Sequence, residues 1–116
     1  MNKYLILLFD HEDMYANSSP QDMQEEVALH GQWIEELGDH YVGGEALQES
    51  SRSIRGAQHV VSDGPFIESK EIIGGFYMLQ AKDLEEATEL AKGCPTLRLG
   101  GGLEIRPVMD FENMDW

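Results

Sequence analysis

Few side chains in this sequence have both the chemistry and the spacing expected of a functional site. His30 lies between Val27 and Ile34, in a segment whose apolar residues recur at steps of three and four, so it faces the same way as the core-forming side chains of a helix. An imidazole titrates near neutral pH and can take up or release a proton there. A histidine on such a face is also often a hydrogen-bonded part of the core. The residues themselves leave both interpretations open.

The run Asp10-His11-Glu12-Asp13 contains residue types that bind metals. Adjacent side chains cannot all turn toward one ion, and a tetrahedral site would need further ligands from elsewhere in the chain. We therefore predict a solvated loop at a pocket rim, and no metal site. We also predict no organic cofactor, because the sequence has no glycine-rich phosphate loop at a strand-to-helix junction.

Length and charge narrow the classes of partner. The chain has 116 residues and a formal charge of −14, from 22 acidic and 8 basic side chains, which would repel nucleic acid and anionic membranes. The lone Cys94 excludes an intramolecular disulfide and favours a reducing compartment, so we predict a cytoplasmic protein. The apolar run at residues 4–9 is short and lacks an Ala-x-Ala cleavage pattern, which is typical of a buried strand rather than a signal peptide.

The hydrophobic pattern predicts the elements that hold these residues, in the order β-α-β-β-β-α-β. Ser19 and Pro20 are typical of a helix start and Gly38 of its end, while Asp83 and Pro95 bound a second helix. The predicted segments are strand 4–9, helix 20–37, strand 41–47, strand 52–62, strand 72–81, helix 84–94 and strand 103–108.

This order predicts an α+β fold, namely a ferredoxin-like βαββαβ arrangement with an extra hairpin strand. The domain would span residues 1–109, followed by an acidic C-terminal tail at 110–116. Two helices would cover one face of a mostly antiparallel sheet. The other face carries apolar residues as well, so we expect a second copy of the chain to cover it in a homodimer.

The run Asp63-Gly64-Pro65-Phe66, followed by Gly74-Gly75-Phe76-Tyr77, resembles the DGPF signature of YCII-related proteins. His30, Cys94-Pro95 and the terminal run 104–108 add family-like pieces in the expected order. Together these pieces cover most of the chain. The resemblance implies a dimeric ferredoxin-like α+β barrel, which agrees with the fold predicted from the pattern.

The same resemblance implies that the histidine of the first helix and the aspartate of the DGPF turn, here His30 and Asp63, form a pair in a pocket. A carboxylate on one ring nitrogen fixes the tautomer and makes the other nitrogen a better base. No side chain is marked as a nucleophile, so proton transfer, elimination or hydration is favoured over covalent catalysis. Some relatives are linked to the breakdown of ring compounds. Asp63 could instead only hold the turn by accepting backbone N–H bonds.

Three further residues are candidates for substrate binding. Lys70 and Glu71 follow the DGPF turn, where Lys70 can face an anionic substrate or pair with an acidic neighbour. Arg106 on the last strand can hold a carboxylate through two parallel hydrogen bonds. Pairing with Glu104, on the same side of that strand, is the preferred interpretation for Arg106.

Two functions of different class remain. The first is a small-molecule enzyme or ligand binder that uses His30 and Asp63 for proton transfer, as a lyase or dehydratase does. The second is a non-catalytic dimeric accessory or regulatory module, because some YCII-related proteins are encoded beside, or fused to, sigma factors. The second predicts a filled, dry core around His30 with no cavity.

Overall fold

The computed structural model describes residues 1–11, 13–64 and 71–113. In chain order the elements are β1 (Asn2–His11), α1 (Pro20–Leu37), β2 (Tyr41–Ala46), β3 (Arg52–Arg55), β4 (Val60–Asp63), β5 (Glu71–Ala81), α2 (Leu84–Ala91) and β6 (Gly102–Pro107), with 3₁₀ turns at Gly38–His40 and Pro95–Leu99. None of the helices formed by these residues is long and apolar enough to cross a membrane.

Four strands form one antiparallel sheet in the order β2-β5-β1-β6. β1 is a central strand because its apolar residues pair on both sides, and Ile6 lies opposite Tyr77 of β5 and Ile105 of β6. This strand order, with α1 and α2 as the crossover connections, is that of a ferredoxin-like fold. The predicted α+β class and βαββαβ arrangement are confirmed.

The core lies between the sheet and the two helices. Ile6 and Leu79 are fully buried, and their cluster includes Trp33 and Leu37 of α1 and Ala91 of α2. Complete burial of an aliphatic side chain contributes about 1.5–3 kcal/mol of transfer free energy. These contacts therefore fix both helices on one face of the sheet.

α1 begins and ends where the sequence predicts. The Ser19 hydroxyl accepts a hydrogen bond from the Asp22 N–H at 3.1 Å, and the Asp22 carboxylate accepts one from the Ser19 N–H at 2.9 Å. The buried face differs from the predicted one, since Val27 is 70% exposed. The inward face contains His30 and Leu37, as the pattern predicts, together with Glu26 and Trp33. The large indole buries more apolar surface than a valine does, which favours this rotation of the helix.

The segment between β2 and β5 departs from the prediction. The single strand expected at 52–62 is wrong, because β3 and β4 fold back on each other as a separate two-stranded sheet with Ile54 opposite Val61. A turn reverses the chain between them, closed by the His59 N–H donating to the Gly56 carbonyl at 3.1 Å. Ile54 and Val61 remain 62% and 57% exposed. We call these two strands and their turn the hairpin.

The chain directly after β6 is hydrogen-bonded to β1, and a local hydrogen bond closes the turn that follows. The Val108 N–H donates to the Lys3 carbonyl at 3.0 Å, and the Asn113 side chain donates to the Asp110 carboxylate at 2.7 Å. Residues 114–116 of the predicted acidic tail lie outside the described residues. The division at residue 109 stays a prediction.

Candidate functional site

A cleft of about 440 Å³ opens between α1 and the strands β1, β2 and β5. Its wall is mostly apolar. The polar side chains that line it are Asp10, Tyr15, Glu26, His30, Tyr41, Glu45, Tyr77 and Thr96. Sites for small molecules are typically clefts of about 300–1,000 Å³ with a few placed polar groups. The cleft can therefore hold a compound built on a single ring.

His30 lies in the wall of the cleft with both ring nitrogens hydrogen-bonded. Its Nδ1 is 2.7 Å from the Tyr77 hydroxyl, and its Nε2 is 3.1 Å from Glu26 Oε1. A carboxylate can only accept, so Nε2–H donates to Glu26, and Nδ1 of the neutral imidazole accepts from the Tyr77 O–H. The other Glu26 oxygen accepts from Arg98 Nη2 at 2.5 Å. A continuous polar chain thus runs from Tyr77 through His30 and Glu26 to Arg98.

Glu26 is buried, with only 5% of its surface exposed. A buried carboxylate needs charged or hydrogen-bonding partners, since burying an unpaired charge costs far more than a protein can offset. The spacing of four residues on α1 supplies His30, and the 3₁₀ turn after α2 supplies Arg98. The 46% exposed Arg98 side chain balances the charge of Glu26 from the solvent side. Glu26 therefore fixes the orientation of His30.

Tyr77 stands at the end of the polar chain that borders the cleft. Its ring packs edge-on against Trp33 at a centroid distance of 5.1 Å and against Tyr41 at 6.3 Å. A Cβ on Gly44 of β2 would lie 2.5 Å from Tyr77 Cδ1, so a glycine at this position leaves room for the ring. Burial is the main cause that raises the pKa of Tyr77 to about 12. The hydroxyl therefore keeps its proton near neutral pH.

Asp10 enters the cleft from the sheet. The register between β1 and β5 shifts between Leu8 and Phe9, which leaves Gly74 as an extra residue in β5, a β-bulge. A Cβ on Gly74 would overlap the Asp10 carboxylate, so the glycine provides the space that this carboxylate occupies. Burial is the main cause that raises the pKa of Asp10 above its usual range, and the Glu26 carboxylate adds to the rise.

Residues 2–112 match the family model of the YCII-related domain. The chain belongs to the YCII-related family. The match includes every strand and helix that borders the cleft, so the site described above lies within the YCII-related domain.

Two other proteins are similar to this YCII-related chain. An uncharacterized protein of Rhizobium meliloti (strain 1021) is 38% identical over 50 residues, which are 42% of this chain and 40% of that protein. The match thus spans less than half of the relative's length. The 5-chloro-2-hydroxyhydroquinone dehydrochlorinase of Burkholderia phenoliruptrix AC1100, solved in complex with 2,5-dihydroxybenzoquinone, has a TM-score of 0.51 and 16% identity, over 97% of this chain and 99% of that chain. At this identity the likeness concerns the fold.

Asp63 does not contact His30 in this structure. Asp63 ends β4 with 86% of its side chain exposed, and its Oδ1 lies 3.0 Å from Arg52 Nη1. His30 instead has Glu26 and Tyr77 on its two nitrogens. The predicted contact between His30 and Asp63 is therefore wrong within one chain, because the hairpin holds Asp63 in a sheet of its own. A catalytic role for either residue stays a prediction.

The three predicted substrate-binding residues have different outcomes. Lys70 lies outside the described residues, and the backbone of Glu71 begins β5 opposite His11. Arg106 of β6 is exposed on the sheet face turned away from the helices, because its neighbour Ile105 packs against the core. It does not line the cleft. Substrate binding by these three residues stays a prediction.

Sequence reasoning missed three side chains of the site, Glu26, Tyr77 and Asp10. The signal for Glu26 was its position four residues before His30 and seven before Trp33, which places it on the same helix face. Asp10, expected in a solvated loop, belongs to β1. Across residues 1–11, 13–64 and 71–113, no group of three His, Cys, Asp or Glu side chains is arranged to hold a metal ion.

Proposed function

We propose that this protein binds a hydroxylated ring compound in the cleft and catalyses proton transfer on it, as in a tautomerisation or a lyase-type elimination. The chief support is the polar chain from Tyr77 through His30 to Glu26, one end of which borders the cleft of about 440 Å³. A titratable group beside an open, mostly apolar cleft is the usual composition of a small-molecule active site.

His30 and Tyr77 can pass a proton in either direction. When His30 is neutral, its Nδ1 accepts from the Tyr77 O–H, as the distance of 2.7 Å allows. When His30 is protonated, Nδ1–H donates to the Tyr77 oxygen and leaves the hydroxyl proton for a ligand. In both states Nε2–H donates to the Glu26 carboxylate, which keeps the ring in place. A placed acid–base group of this kind accelerates a reaction by roughly 100- to 10,000-fold.

The class of ligand follows from the wall of the cleft and from the shared fold. Apolar walls with a few hydroxyl and carboxyl groups suit a flat ring that bears hydroxyl groups. The dehydrochlorinase of similar fold was solved with such a compound, 2,5-dihydroxybenzoquinone. Loss of HX from such a ring needs no external oxidant, because one hydroxyl proton moves to the halogen-bearing carbon, a second goes to a base, and the halide leaves with the electrons of the carbon–halogen bond.

The accessory module is the rival function. It predicts a close-packed core around His30, whereas the His30 side chain is 18% exposed and lines the cleft. The open cleft favours a ligand site over a module that acts only through its outer surface. A link to sigma factors stays a prediction from the family resemblance.

Binding and turnover test the proposed function together. Wild-type protein is titrated with 2,5-dihydroxybenzoquinone and assayed for halide release from 5-chloro-2-hydroxyhydroquinone and related halogenated rings. We expect saturable binding that raises the melting temperature, and measurable halide release. His30→Ala and Tyr77→Phe should each slow release by roughly 100-fold or more.

The matched control is Glu35→Gln, which removes an exposed charge from the same helix without touching the cleft. This variant should keep the wild-type rate. A wild type that neither binds nor reacts with any of these rings would contradict the proposed function, as would full activity in both the His30 and the Tyr77 variants.

We also propose that the protein forms a homodimer. Ile54, Val60 and Val61 of the hairpin are 57% to 62% exposed, and an isolated two-stranded sheet is marginally stable in water. A second copy of the chain would cover these side chains. Light scattering that returns the mass of one chain at every concentration would contradict the dimer. A cytoplasmic location, inferred from the lone Cys94, stays a prediction of the same standing.

A further inference from the structure

We infer that Asp10 is a second proton-transfer group of the cleft, which takes the proton of a ring hydroxyl while the Tyr77–His30 pair delivers a proton to a ring carbon. This role rests on the proposed function and completes it. The substrate class is a ring compound with a free hydroxyl group that can donate a hydrogen bond, and then its proton, to the Asp10 carboxylate.

Proton transfer on a hydroxylated aromatic ring needs two groups. An aromatic carbon holds its substituent in the plane of the ring, and elimination from it becomes possible only after that carbon has gained a proton. One group must take the hydroxyl proton, and another must supply a proton to the carbon. His30 and Tyr77 are joined by a single hydrogen bond of 2.7 Å, so they act as one donor. A second group has to come from elsewhere in the cleft.

Asp10 meets this requirement by its position. It lines the same cleft as His30 and Tyr77, but it stands on β1, whereas His30 stands on α1. The bulge at Gly74 gives its carboxylate the space to lie there. A bulge beside an active site commonly re-aims a side chain in this way.

The Asp10 carboxylate is also available, in contrast to that of Glu26. Both Glu26 oxygens are engaged, one by His30 and the other by Arg98. No residue within the described ranges donates a hydrogen bond to the Asp10 carboxylate, and the cleft gives a ligand access to it. A carboxylate carries about four acceptor positions, so a ligand hydroxyl can bind there.

The groups around Asp10 favour a carboxylate that binds a proton more tightly than usual. Burial raises its pKa, His11 on the same strand lowers it, Glu26 on α1 raises it and His30 lowers it. Burial raises the pKa of the Tyr15 hydroxyl, which shares the cleft, and the Asp10 carboxylate adds to the rise. A carboxylate with a raised pKa is a better base toward a phenolic hydroxyl.

The proposed step balances in protons and electrons. The ring O–H bond breaks, its proton goes to Asp10, and its electron pair forms a C=O bond. The electron pair displaced from the ring forms a C–H bond with the Tyr77 hydroxyl proton. His30 starts the step as the imidazolium, so Tyr77 then recovers a proton from His30 Nδ1, which leaves His30 neutral and Asp10 protonated. The net change is a tautomerisation without any oxidant or reductant, and the reverse step returns every group to its starting state.

Exchange of ring hydrogen for deuterium measures this step without a leaving group. Hydroxyquinol is incubated anaerobically with the protein in D₂O, and proton NMR follows the loss of its ring signals. Wild type should accelerate the exchange. Asp10→Asn should slow it by roughly 100-fold while binding 2,5-dihydroxybenzoquinone within a few-fold of wild type. The wild-type exchange rate should fall at low pH, because protonation of Asp10 removes the base. The residual exchange rate of Asp10→Asn should not show this fall.

Two further variants make the result specific. Gly74→Ala should push the Asp10 carboxylate aside and slow exchange, although its nearest clash is with the flexible end of a side chain and the fold should survive. Glu104→Gln removes an exposed charge from β6, next to β1, and should exchange like wild type.

The outcomes distinguish a failure of the Asp10 role from a failure of the proposed function. Exchange at the wild-type rate in Asp10→Asn, combined with loss of exchange in His30→Ala, would overturn the role of Asp10 and leave the proposed function standing. An unchanged pH profile in Asp10→Asn would overturn it as well. A wild type that neither binds nor exchanges any probe would overturn both.

Discussion

An arginine–carboxylate ion pair occurs both in the helix-covered sheet and in the hairpin. The two pairs differ in how deeply the carboxylate is buried. In the helix-covered part, Glu26 is 7% exposed at its side chain and holds Arg98, whereas in the hairpin Asp63 is 86% exposed and holds Arg52. An exposed pair contributes roughly 0–1 kcal/mol. Loss of one partner from a buried carboxylate costs several times more. Burial rather than residue type therefore decides which carboxylate can hold His30 in place.

The largest expected difference between the two regions concerns apolar side chains. Leu79→Ala removes a fully buried side chain and should lower the free energy of unfolding by about 3 kcal/mol. Val61→Ala in the hairpin should cost less than about 0.5 kcal/mol in an isolated chain, since Val61 is 57% exposed. Urea unfolding at low protein concentration measures both.

Repeating the unfolding of Leu79→Ala and Val61→Ala at several protein concentrations tests whether a second chain covers the hairpin. If a second chain covers the hairpin, the cost of Val61→Ala should grow as the protein concentration rises, because dimer formation is then coupled to folding. The cost of Leu79→Ala should exceed that of Val61→Ala even so. Equal costs at low concentration would mean that the hairpin has a core of its own.

The ion pairs give the next largest effect. Arg98→Ala leaves Glu26 buried without its cation and should lower the free energy of unfolding by about 2 kcal/mol, less than for a fully buried pair because Arg98 is half exposed. Arg52→Ala should cost less than about 0.5 kcal/mol. Thermal unfolding of the two variants in the same buffer compares them directly. Similar losses of stability would contradict the conclusion that the buried pair contributes more than the exposed one.

The smallest effect is that of Asp10→Asn on stability. A carboxyl group with a raised pKa in the folded state destabilises the fold once it ionises, so the wild type loses stability as pH rises from about 4 through the raised pKa. Asparagine does not ionise, and the variant should be slightly more stable than wild type near neutral pH. The stability gain of the variant should disappear below about pH 3.5, where Asp10 of the wild type is mostly protonated in both the folded and the unfolded state. Urea unfolding at the two pH values checks the sign.

Much of the fold could be predicted because local signals were strong. Ser19 and Gly38 bounded α1 correctly, and the apolar run at 4–9 identified the central strand. The hairpin was missed because residues 52–62 contain β-forming residues on both sides of a turn that has no strong turn dipeptide. Without a strong turn signal, the residue pattern does not distinguish one long strand from two short strands joined by a turn.

The site was predictable only in part, because its partners meet through the tertiary fold. The spacing on α1 placed His30 on the inward face of the helix. Its contact with Tyr77 depends on the pairing of β5 with β1, and the position of Asp10 depends on the bulge at Gly74. Neither the strand register nor a bulge can be inferred from the spacing of residues in one segment. The burial of Glu26 further depends on Arg98, which is 72 residues away in the chain.

The central position of β1 also has a consequence for how the molecule is made. Ile6 pairs with Tyr77 and with Ile105, so β1 is synthesised well before either of the strands that it pairs with. Such distant pairings slow folding, since the entropy of closing long loops is lost before the contacts form. During synthesis the nascent segment at residues 4–9 has no strand partner, and it is the stretch that a chaperone would be expected to hold.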